Sequence, residues 1–486
     1  MTPRTWRAGH LPGVDAADVR WHVLPFSARG RQLRVEVPVL AEAQLRALAH
    51  SVRAAAGERL QPMPVDAVVQ VLDAAVARLL DPADPRRREL DDLLPLVTGF
   101  DAELVRLGLS TYLQGFRGPQ LRRFVAQDFA NPKVLDGFQP AVKGGSVRAL
   151  GPGLLAHIWA GNVPGLPLWS LACGLLVKAG NIGKLPSAEP VFASVFARLL
   201  AELHPPWAGC LAVVWWKGGD AGMDATLFRE AETVLAYGGN AALRELRERV
   251  PVTTRFLAYG HKLGVALVGR AALDRQRGGA SARLAARDLA RHEQQGCYSP
   301  HVIYVERGGE VSPRAFARYL AAELANLQHR HPSRELALED ATAVASWRQA
   351  AEWNDSLELL GEEGCGWAVV YADAPHPVRP TPGQRCIVVS AVNALEDVLP
   401  LLAPHAPVLQ TVAVATTPEA LYPLAELLGR AGVTRIAPLG AMAQPEPGWH
   451  HDGRFSLADL VRMVEIDAAT ERAADRLAPY AQEDLP

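Results

Sequence analysis

This chain of 486 residues contains little cysteine and little lysine. Its five cysteines are too few for a disulfide framework in so long a chain, and an odd number leaves one of them unpaired. We therefore expect a reducing compartment, the cytoplasm. Only six of the 50 basic residues are lysine, so the position of each one matters: Lys133, Lys143, Lys178, Lys184, Lys217 and Lys262.

The chain also lacks an excess of charge of either sign. Lysine and arginine total 50, aspartate and glutamate total 52, and the formal net charge is −2. This balance argues against a nucleic-acid groove and against a polybasic membrane anchor. The opening segment MTPRTWRAGHLPGVDAADVR has no apolar run of the kind that a signal peptide needs.

A long stretch without Asp, Glu, Lys or Arg lies between Arg148 and Lys178. It is long enough to cross a bilayer, but glycine and proline interrupt it repeatedly, and a broken helix leaves backbone groups unpaired in lipid. We expect a buried strand, a loop and a buried helix here, and no membrane span.

Apolar patterning indicates an α/β fold with two doubly wound units after a helical region. Residues 41–130 carry apolar side chains mainly at helical spacing, and residues 1–50 are predicted to be irregular, with a strand over 33–39. Strands and helices alternate from 150 to 270, which is typical of a parallel sheet. A helix is predicted over 280–296, and strands and helices alternate again after it.

Cys297 is the best candidate for a nucleophile. It lies in QQGCYSP, where a predicted helix meets a predicted strand and turn residues stand on both sides. Such a junction exposes a thiol and brings backbone N–H groups close to it, and a reactive cysteine needs both. Cys365, in EEGCGWAV, is ambiguous. The other cysteines have core-type neighbours and are more typical of small buried side chains: Cys173, Cys210 and Cys386.

Other positions admit two interpretations each. Asn162, in WAGNVPGLP, either donates to an oxyanion or caps a turn. Lys184, in GNIGKLPSAEP, either reaches a ribose or phosphate or is a solvated surface charge. Gly238 and Gly239, in LAYGGN, precede a helix whose free N–H groups favour a pyrophosphate, although a complete G-x-G-x-x-G is absent.

The order of these motifs resembles that of the aldehyde dehydrogenase superfamily. GNVPG, KLPSAEP, AYGGN, GHKLGVALV and QQGCYSP follow one another, and they look closest to the LuxC-type fatty acyl-CoA reductases of bacterial luminescence. The resemblance runs from about residue 145 to about 465 and includes LQTVAVA, GVTRIAPLGAM and WHHDGRFSLADLV. It implies an aldehyde-dehydrogenase-like fold.

The resemblance also suggests how the chain is divided. We expect a largely helical N-terminal region that packs on the cofactor domain, then an NAD(P)-binding Rossmann-like domain, a catalytic domain and a C-terminal tail. The expected boundaries are 1–140, 141–292, 293–465 and 466–486.

Site roles follow from the same resemblance. Cys297 would be acylated, and its backbone N–H and the amide of Asn162 would form the oxyanion hole. Lys184 would hold the adenosine ribose. NAD-dependent relatives often place a glutamate where this chain has Ser187, and serine does not repel a 2′-phosphate. We therefore expect NADPH as the cofactor, with NADH possible.

One residue of the family pattern is absent. Hydrolytic aldehyde dehydrogenases carry a glutamate in E-L-G-G-K that activates water, and the corresponding AYGHK places Ala258 there. An acyl-cysteine would then survive until hydride arrives. The resemblance thus implies a reductase that makes a long-chain aldehyde from acyl-CoA. His261 and His301 are either acids or structural residues.

Two alternatives remain open from the sequence. One is an NAD-dependent aldehyde dehydrogenase that produces an acid. The other is a non-catalytic, acyl-carrying subunit of a fatty-acid reductase complex, because family members work with acyltransferase and acyl-protein synthetase partners. The superfamily's habit also implies a homo-oligomer.

The segment His450–Asp452 is interpreted as a structural loop. Adjacent histidines seldom point the same way, and no third ligand has zinc-site spacing. We therefore expect no metal.

Overall fold

Two parallel sheets organise the chain in this computed structural model, which describes residues 4–478. Before them comes a small sheet in which β3 pairs parallel to β1 and antiparallel to β2. Its strands are β1 (Arg4–Arg7), β2 (Arg20–Ala28) and β3 (Arg31–Val39). The predicted strand over 33–39 is therefore confirmed, but the irregular structure expected around it is largely strand.

Five helices follow and pack on the first parallel sheet. The apolar faces of the last four share one continuous core with helices of that sheet. Most of the apolar face of the first belongs to a separate core that includes strands of the sheet, so burial of apolar surface holds all five in place. The helices are α1 (Glu42–Arg59), α2 (Val65–Leu80), α3 (Pro85–Thr98), α4 (Ala102–Gln114) and α5 (Gly118–Asp128).

The first parallel sheet has the strand order β10-β9-β6-β7-β8. Its inner strands are buried along their whole length, which explains their continuous apolar sequences. The elements are β6 (Leu154–Ile158), α6 (Leu166–Leu176), β7 (Gly180–Lys184), α7 (Phe192–Leu203), β8 (Leu211–Val214), α8 (Ala221–Glu230), β9 (Thr233–Tyr237), α9 (Asn240–Arg249) and β10 (Arg255–Tyr259). The strand, loop and helix expected after Arg148 are β6, its loop and α6.

The second sheet has the order β13-β14-β15-β12-β11-β16-β17, with only β13 antiparallel. Its elements run from β11 to β17. They are β11 (Leu263–Val268), α10 (Arg277–Ala290), β12 (Pro300–Glu306), α11 (Pro313–Arg330), α12 (Leu338–Glu352), β13 (Leu357–Leu360), β14 (Ala368–Ala372), β15 (Cys386–Val392), α13 (Leu399–Leu402), β16 (Leu409–Ala415), α14 (Pro418–Arg430) and β17 (Arg435–Pro438).

The position of β11 corrects the sequence prediction. The strand was expected in the first α/β unit, but it pairs with β12 and β16 of the second sheet. The turn Gly260–Lys262 is too short for the crossover that a parallel return to the first sheet would need. The chain therefore passes directly from one sheet to the other at this turn.

A third small sheet ties the end of the chain to its middle. The strand β18 (Arg462–Ile466) pairs antiparallel to β5 (Ser146–Leu150), which pairs with β4 (Gln139–Pro140). The tail then forms α15 (Ala468–Asp475). Residues 479–486 of the expected tail lie outside the described residues.

Gly183 in β7 provides a test of the packing of the first sheet. A Cβ at this position would overlap the indole ring of Trp159, which a 2.8 Å hydrogen bond to Ser170 holds in place. We expect Gly183→Ala to lower the free energy of unfolding by about 1–3 kcal/mol, the usual cost of overpacking. Thermal or denaturant unfolding measures the change.

Gly57→Ala is the matched control. Gly57 lies inside α1 with open space around its Cα, so the same change should raise stability by about 0.5–1 kcal/mol. Equal effects of the two substitutions would contradict the packing described here.

Candidate active site

A cavity of about 600 Å³ opens where the two parallel sheets face each other. The loops after β6, β9 and β10 contribute from the carboxyl edge of the first sheet, and the segment before β12 contributes from the second. Ligands of doubly wound sheets bind at such carboxyl edges. The cavity brings together four of the predicted site residues: Cys297, Asn162, Gly238 and Gly239.

Cys297 lies between Gly296 and β12, partly exposed, with its thiol enclosed by protein. Burial, together with the carboxylate of Asp452, raises the pKa of this thiol to about 11. A hydrogen bond from Gln410 and the charge of Lys262 act in the opposite direction. The resting sulfur is therefore protonated at neutral pH, and its neighbours control how readily it ionises.

A turn of unusual conformation holds the segment before Cys297. His292, Glu293 and Gln294 have φ values of 51°, 50° and 64°, in the left-handed region that residues with a Cβ disfavour. The carboxylate of Glu293 accepts two hydrogen bonds from the guanidinium of Arg385, at 2.8 and 3.1 Å. Both side chains are almost fully buried, so the loss of either one would leave an uncompensated charge inside the protein next to this turn.

Gln294 adds a second anchor to the same turn. Its amide nitrogen donates to the carbonyl of Pro300 at 2.7 Å and to the carbonyl of Cys386 at 2.9 Å. The nucleophile segment is thereby joined to the first residues of β12 and β15.

Asn162 crosses the cleft between the two sheets. Its amide nitrogen donates to the carbonyl of Gln295 at 2.7 Å, two residues before Cys297. A primary amide carries two N–H donors, and this bond uses one of them. The geometry therefore leaves a donor available for an oxyanion hole.

Lys184 and Ser187, which the sequence predicts to contact the adenosine part of a cofactor, do not line this cavity. Ser187 lines a second cavity of about 670 Å³ and accepts a 3.1 Å hydrogen bond from Trp215. Lys184 lies at the end of β7, with its ammonium over the ring of Trp216, which lines the same cavity. Burial lowers the pKa of Lys184, and Asp224 at 3.8 Å opposes that effect.

Aromatic side chains form one wall of the first cavity. The imidazole of His451 stacks on Tyr259 with ring centroids 4.3 Å apart, and Tyr259 stacks on Tyr237 at 5.0 Å. Burial lowers the pKa of His451 to about 4, so the ring is neutral at physiological pH. Trp449 packs against the same imidazole at 4.6 Å.

The loop His450–Asp452 differs from the prediction, because it contributes to the candidate site. It was expected to be only structural, yet His451 lines the cavity and Asp452 approaches the thiol. Gln410 was not singled out at all. Two sequence features could have indicated these residues. Asp452 lies in the late WHHDGRF motif, and Gln410 belongs to a polar QT pair at the start of an otherwise apolar strand.

Carboxylates are absent from the wall of the first cavity, as far as residues 4–478 describe it. Ala258 lies in β10 and cannot activate water. His301 lines the cavity, but its Nδ1 accepts the 3.1 Å hydrogen bond of the Thr381 N–H, and burial lowers its pKa to about 4. His301 is therefore neutral at physiological pH. His261 also lines this cavity.

Over residues 4–478 we find no cluster of three or more His, Cys, Asp or Glu side chains arranged to hold a metal ion. Over the same range, no helix combines the length and the apolar character needed to traverse a bilayer.

Comparison with solved structures defines the class of the fold. A mutant aldehyde dehydrogenase C from Pseudomonas syringae, in complex with NAD+ and octanal, matches 95% of this chain and 96% of its own, with a TM-score of 0.72 and 13% identity. The chain thus has the aldehyde-dehydrogenase-like fold that the sequence predicts.

The family is more specific. The family model for acyl-CoA reductase (LuxC) matches residues 60–463, so the chain belongs to this reductase family. A long-chain acyl-protein thioester reductase 2 from Photobacterium leiognathi is 25% identical over 343 residues, covering 70% of this chain and 69% of that protein. A long-chain acyl-protein thioester reductase from Photorhabdus luminescens is 24% identical over 400 residues, 81% of this chain and 80% of its own.

The ion pair before Cys297 yields a stability prediction. Arg385→Met leaves the buried carboxylate of Glu293 without its partner, and such changes cost about 3–5 kcal/mol. Burial already raises the pKa of Glu293, and the loss of the guanidinium raises it further. The folded variant is thus most stable where Glu293 is protonated and loses stability as pH rises through that pKa. The deficit should be smaller at about pH 5 than at about pH 8.

Denaturant unfolding at the two pH values measures this deficit. Arg430→Met is the control, because Arg430 and Glu426 form an exposed pair on α14. Breaking that pair should cost only about 0.3–0.5 kcal/mol at either pH. A deficit of Arg385→Met that grows as pH falls would contradict the role given to the buried pair.

Proposed function

We propose that the protein reduces a long-chain acyl thioester, acyl-CoA or an acyl-protein, to the aldehyde through an acyl-cysteine at Cys297. The observation that carries the proposal is the first cavity itself. It holds a cysteine and a free amide donor from Asn162 in an apolar, aromatic-walled space whose lining residues, among those described, include no carboxylate. The relatives from Photobacterium leiognathi and Photorhabdus luminescens are named long-chain acyl-protein thioester reductases, which supports the same substrate class.

Acyl transfer in this cavity needs three contributions from the chain. The Cys297 thiolate attacks the thioester carbonyl, the C–S bond to the incoming carrier breaks, and the carrier leaves as a thiolate. The backbone N–H of Cys297 and the second N–H of the Asn162 amide hold the oxyanion meanwhile. The described residues that line the cavity include no carboxylate that could activate water there, which favours a persistent acyl-cysteine.

We also propose that the first α/β unit holds a nicotinamide dinucleotide, with the second supplying Cys297. A reduced nicotinamide supplies hydride, which the other residues of the site do not. Gly238 and Gly239 lie at the amino end of α9, where free N–H groups suit a pyrophosphate. Arg20 and Lys217 bring positive charge to the second cavity beside Ser187, which suits a 2′-phosphate and favours NADPH. Glu42 and Asp220 line the same cavity.

Cys297→Ser tests the covalent step. Wild-type protein incubated with acyl-CoA and no reductant should gain the mass of one acyl group, and the serine variant should not, because a hydroxyl is far less acidic than a thiol. Intact-mass spectrometry detects the adduct. Cys365→Ser is the matched control, because Cys365 is also partly exposed but lies outside the cavity. A normal adduct on Cys297→Ser would refute the assignment.

Ser187→Glu tests the cofactor preference. A carboxylate at this position repels a 2′-phosphate and can accept from a ribose 2′-hydroxyl, so affinity for NADPH should fall about ten-fold or more while NADH binds at least as well. Lys217→Met should weaken NADPH alone. Fluorescence titration with both nucleotides gives the two dissociation constants. Equal losses for NADH and NADPH would contradict a 2′-phosphate site beside Ser187.

Two assays separate the proposal from its rivals. Sustained NADPH consumption by the purified chain with acyl-CoA excludes a non-catalytic acyl carrier. Steady production of acid from aldehyde without CoA would instead favour a hydrolytic aldehyde dehydrogenase.

A further inference from the structure

The cationic side chain of Arg291 lines the first cavity without a direct partner. Arg291 follows α10 at once and precedes Cys297 by six residues, in the segment that carries the proposed nucleophile. Over residues 4–478, its guanidinium makes no hydrogen bond and no ion pair. A guanidinium has five N–H donors and stays protonated in proteins, so this wall presents unused donors and a positive charge to the cavity.

The charges around Arg291 compensate it only in part. Asp288, one turn earlier on α10, acts on it electrostatically. The two carboxylate oxygens of Asp288, however, accept from the backbone N–H groups of Gly440 at 2.6 Å and Met442 at 3.0 Å. Burial lowers the pKa of Arg291, and Tyr298 and Asp288 oppose that effect. This direction is expected for a cation that is kept from water without a direct partner.

Lys262 differs from Arg291 in this respect. These two residues are the only lysine or arginine among the described residues that line the cavity, and no aspartate or glutamate lines it. The ammonium of Lys262 lies 3.7 Å from a carboxylate oxygen of Asp452 and donates to the carbonyl of Pro407 at 3.3 Å. The charge of Lys262 is therefore already paired, whereas the donors of Arg291 remain for a group that enters the cavity.

A glycine on α4 makes room for the guanidinium. Gly108 lies inside that helix, and a Cβ at this position would come within 2.6 Å of the Nη1 atom of Arg291. Glycine in a helix interior lowers helix stability relative to alanine, so the space that it leaves has a cost. Thr111 and Tyr112 follow one turn later on the same face of α4 and also line the cavity. The guanidinium thus occupies a defined position between α4 and the nucleophile segment.

We propose that Arg291 forms an anion-binding subsite of the catalytic cavity, which holds a carboxylate or phosphate group of the substrate while the thioester lies at Cys297. The proposal rests on the proposed function only in that the cavity receives the acyl thioester. A guanidinium binds either anion through two parallel N–H···O bonds, and a largely apolar space strengthens the attraction between the charges. Two parts of a thioester carry such a group: an acyl chain that ends in a carboxylate, and the phosphopantetheine arm of the carrier, as in CoA.

The subsite adds selectivity to a cavity that is otherwise largely apolar and aromatic. Apolar walls distinguish chains that differ by one methylene only weakly. A guanidinium that stays unpaired instead penalises a substrate that brings no anion to it, because its donors remain unsatisfied. Arg291 is therefore a specificity-determining residue for the proposed reaction.

Calorimetric titration of the full chain with two matched pairs of probes tests the subsite. Octanoate and 1-octanol share their chain length and differ in charge, and 4′-phosphopantetheine and pantetheine differ only in the phosphate. Arg291→Met keeps an apolar stem and removes the guanidinium. It should weaken binding of octanoate, of phosphopantetheine or of both about ten-fold or more, because charge-assisted hydrogen bonds are lost. Binding of 1-octanol and pantetheine should stay within about two-fold.

The melting temperature of Arg291→Met distinguishes an anion subsite from a structural role. A cation without a direct partner in a partly buried position destabilises the free protein, so its removal should raise the melting temperature by a few degrees. A side chain that served to tie α10 to α4 would lower the melting temperature when removed. Arg287→Met is the matched control, because Arg287 is an exposed residue of α10 outside the cavity and should change neither affinity nor melting temperature.

A selective loss of phosphopantetheine binding supports the subsite and assigns the anion to the carrier. A selective loss of octanoate binding supports it and assigns the anion to the acyl chain, and losses of both support the shared chemistry. No selective loss in either pair overturns the proposal, as does a variant that melts below the wild type or does not fold. The titrations involve neither thioester nor nucleotide, so their failure is distinct from failure of the acyl-cysteine mechanism, which a missing acyl adduct on wild-type protein would reveal.

Discussion

The buried ion pair between Glu293 and Arg385 is the interaction on which the candidate site depends. Consecutive left-handed residues precede Cys297, and such a backbone persists only where surrounding contacts determine it. Arg385 also has a left-handed backbone, with φ 60°. The salt bridge therefore joins two segments of left-handed backbone, one before Cys297 and one before β15. The position of the thiol in the cavity follows from this contact, because the hydrogen bonds of Gln294 and Asn162 are made along the same short segment.

The opposition of the two sheets explains why the site contains residues from all parts of the chain. The first sheet offers its carboxyl edge, where Asn162 and the glycine pair follow strands, and the second offers its amino edge, where Cys297 precedes β12. Trp449, His451 and Asp452 come from a loop after β17, and His451 stacks there on Tyr259 at the end of β10. This arrangement encloses a largely apolar space, and the described residues that line it include no carboxylate.

The sequence pattern predicted the features that depend only on neighbouring residues. Apolar runs located most strands of both sheets, and the junction around Cys297 indicated a reachable thiol next to backbone donors. The resemblance placed Asn162 beside it. The apolar pattern could not assign β11 to its sheet, because β10 and β11 both read as apolar strands and a strand's composition does not reveal which sheet it joins. It also missed Gln410 and Asp452, whose proximity to the thiol arises from strand pairing and from a return of the chain more than 100 residues after Cys297.

The three-residue turn between β10 and β11 has a mechanical consequence. At most about 3.5 Å per residue, Gly260–Lys262 can extend only about 10 Å, so the sheets cannot separate at this end. Any widening of the cleft must pivot about the turn. The hydrogen bond from Asn162 to the Gln295 carbonyl spans the gap and is stretched by such a rotation. The short turn and this hydrogen bond thus link the two sheets at two separate points of the cleft.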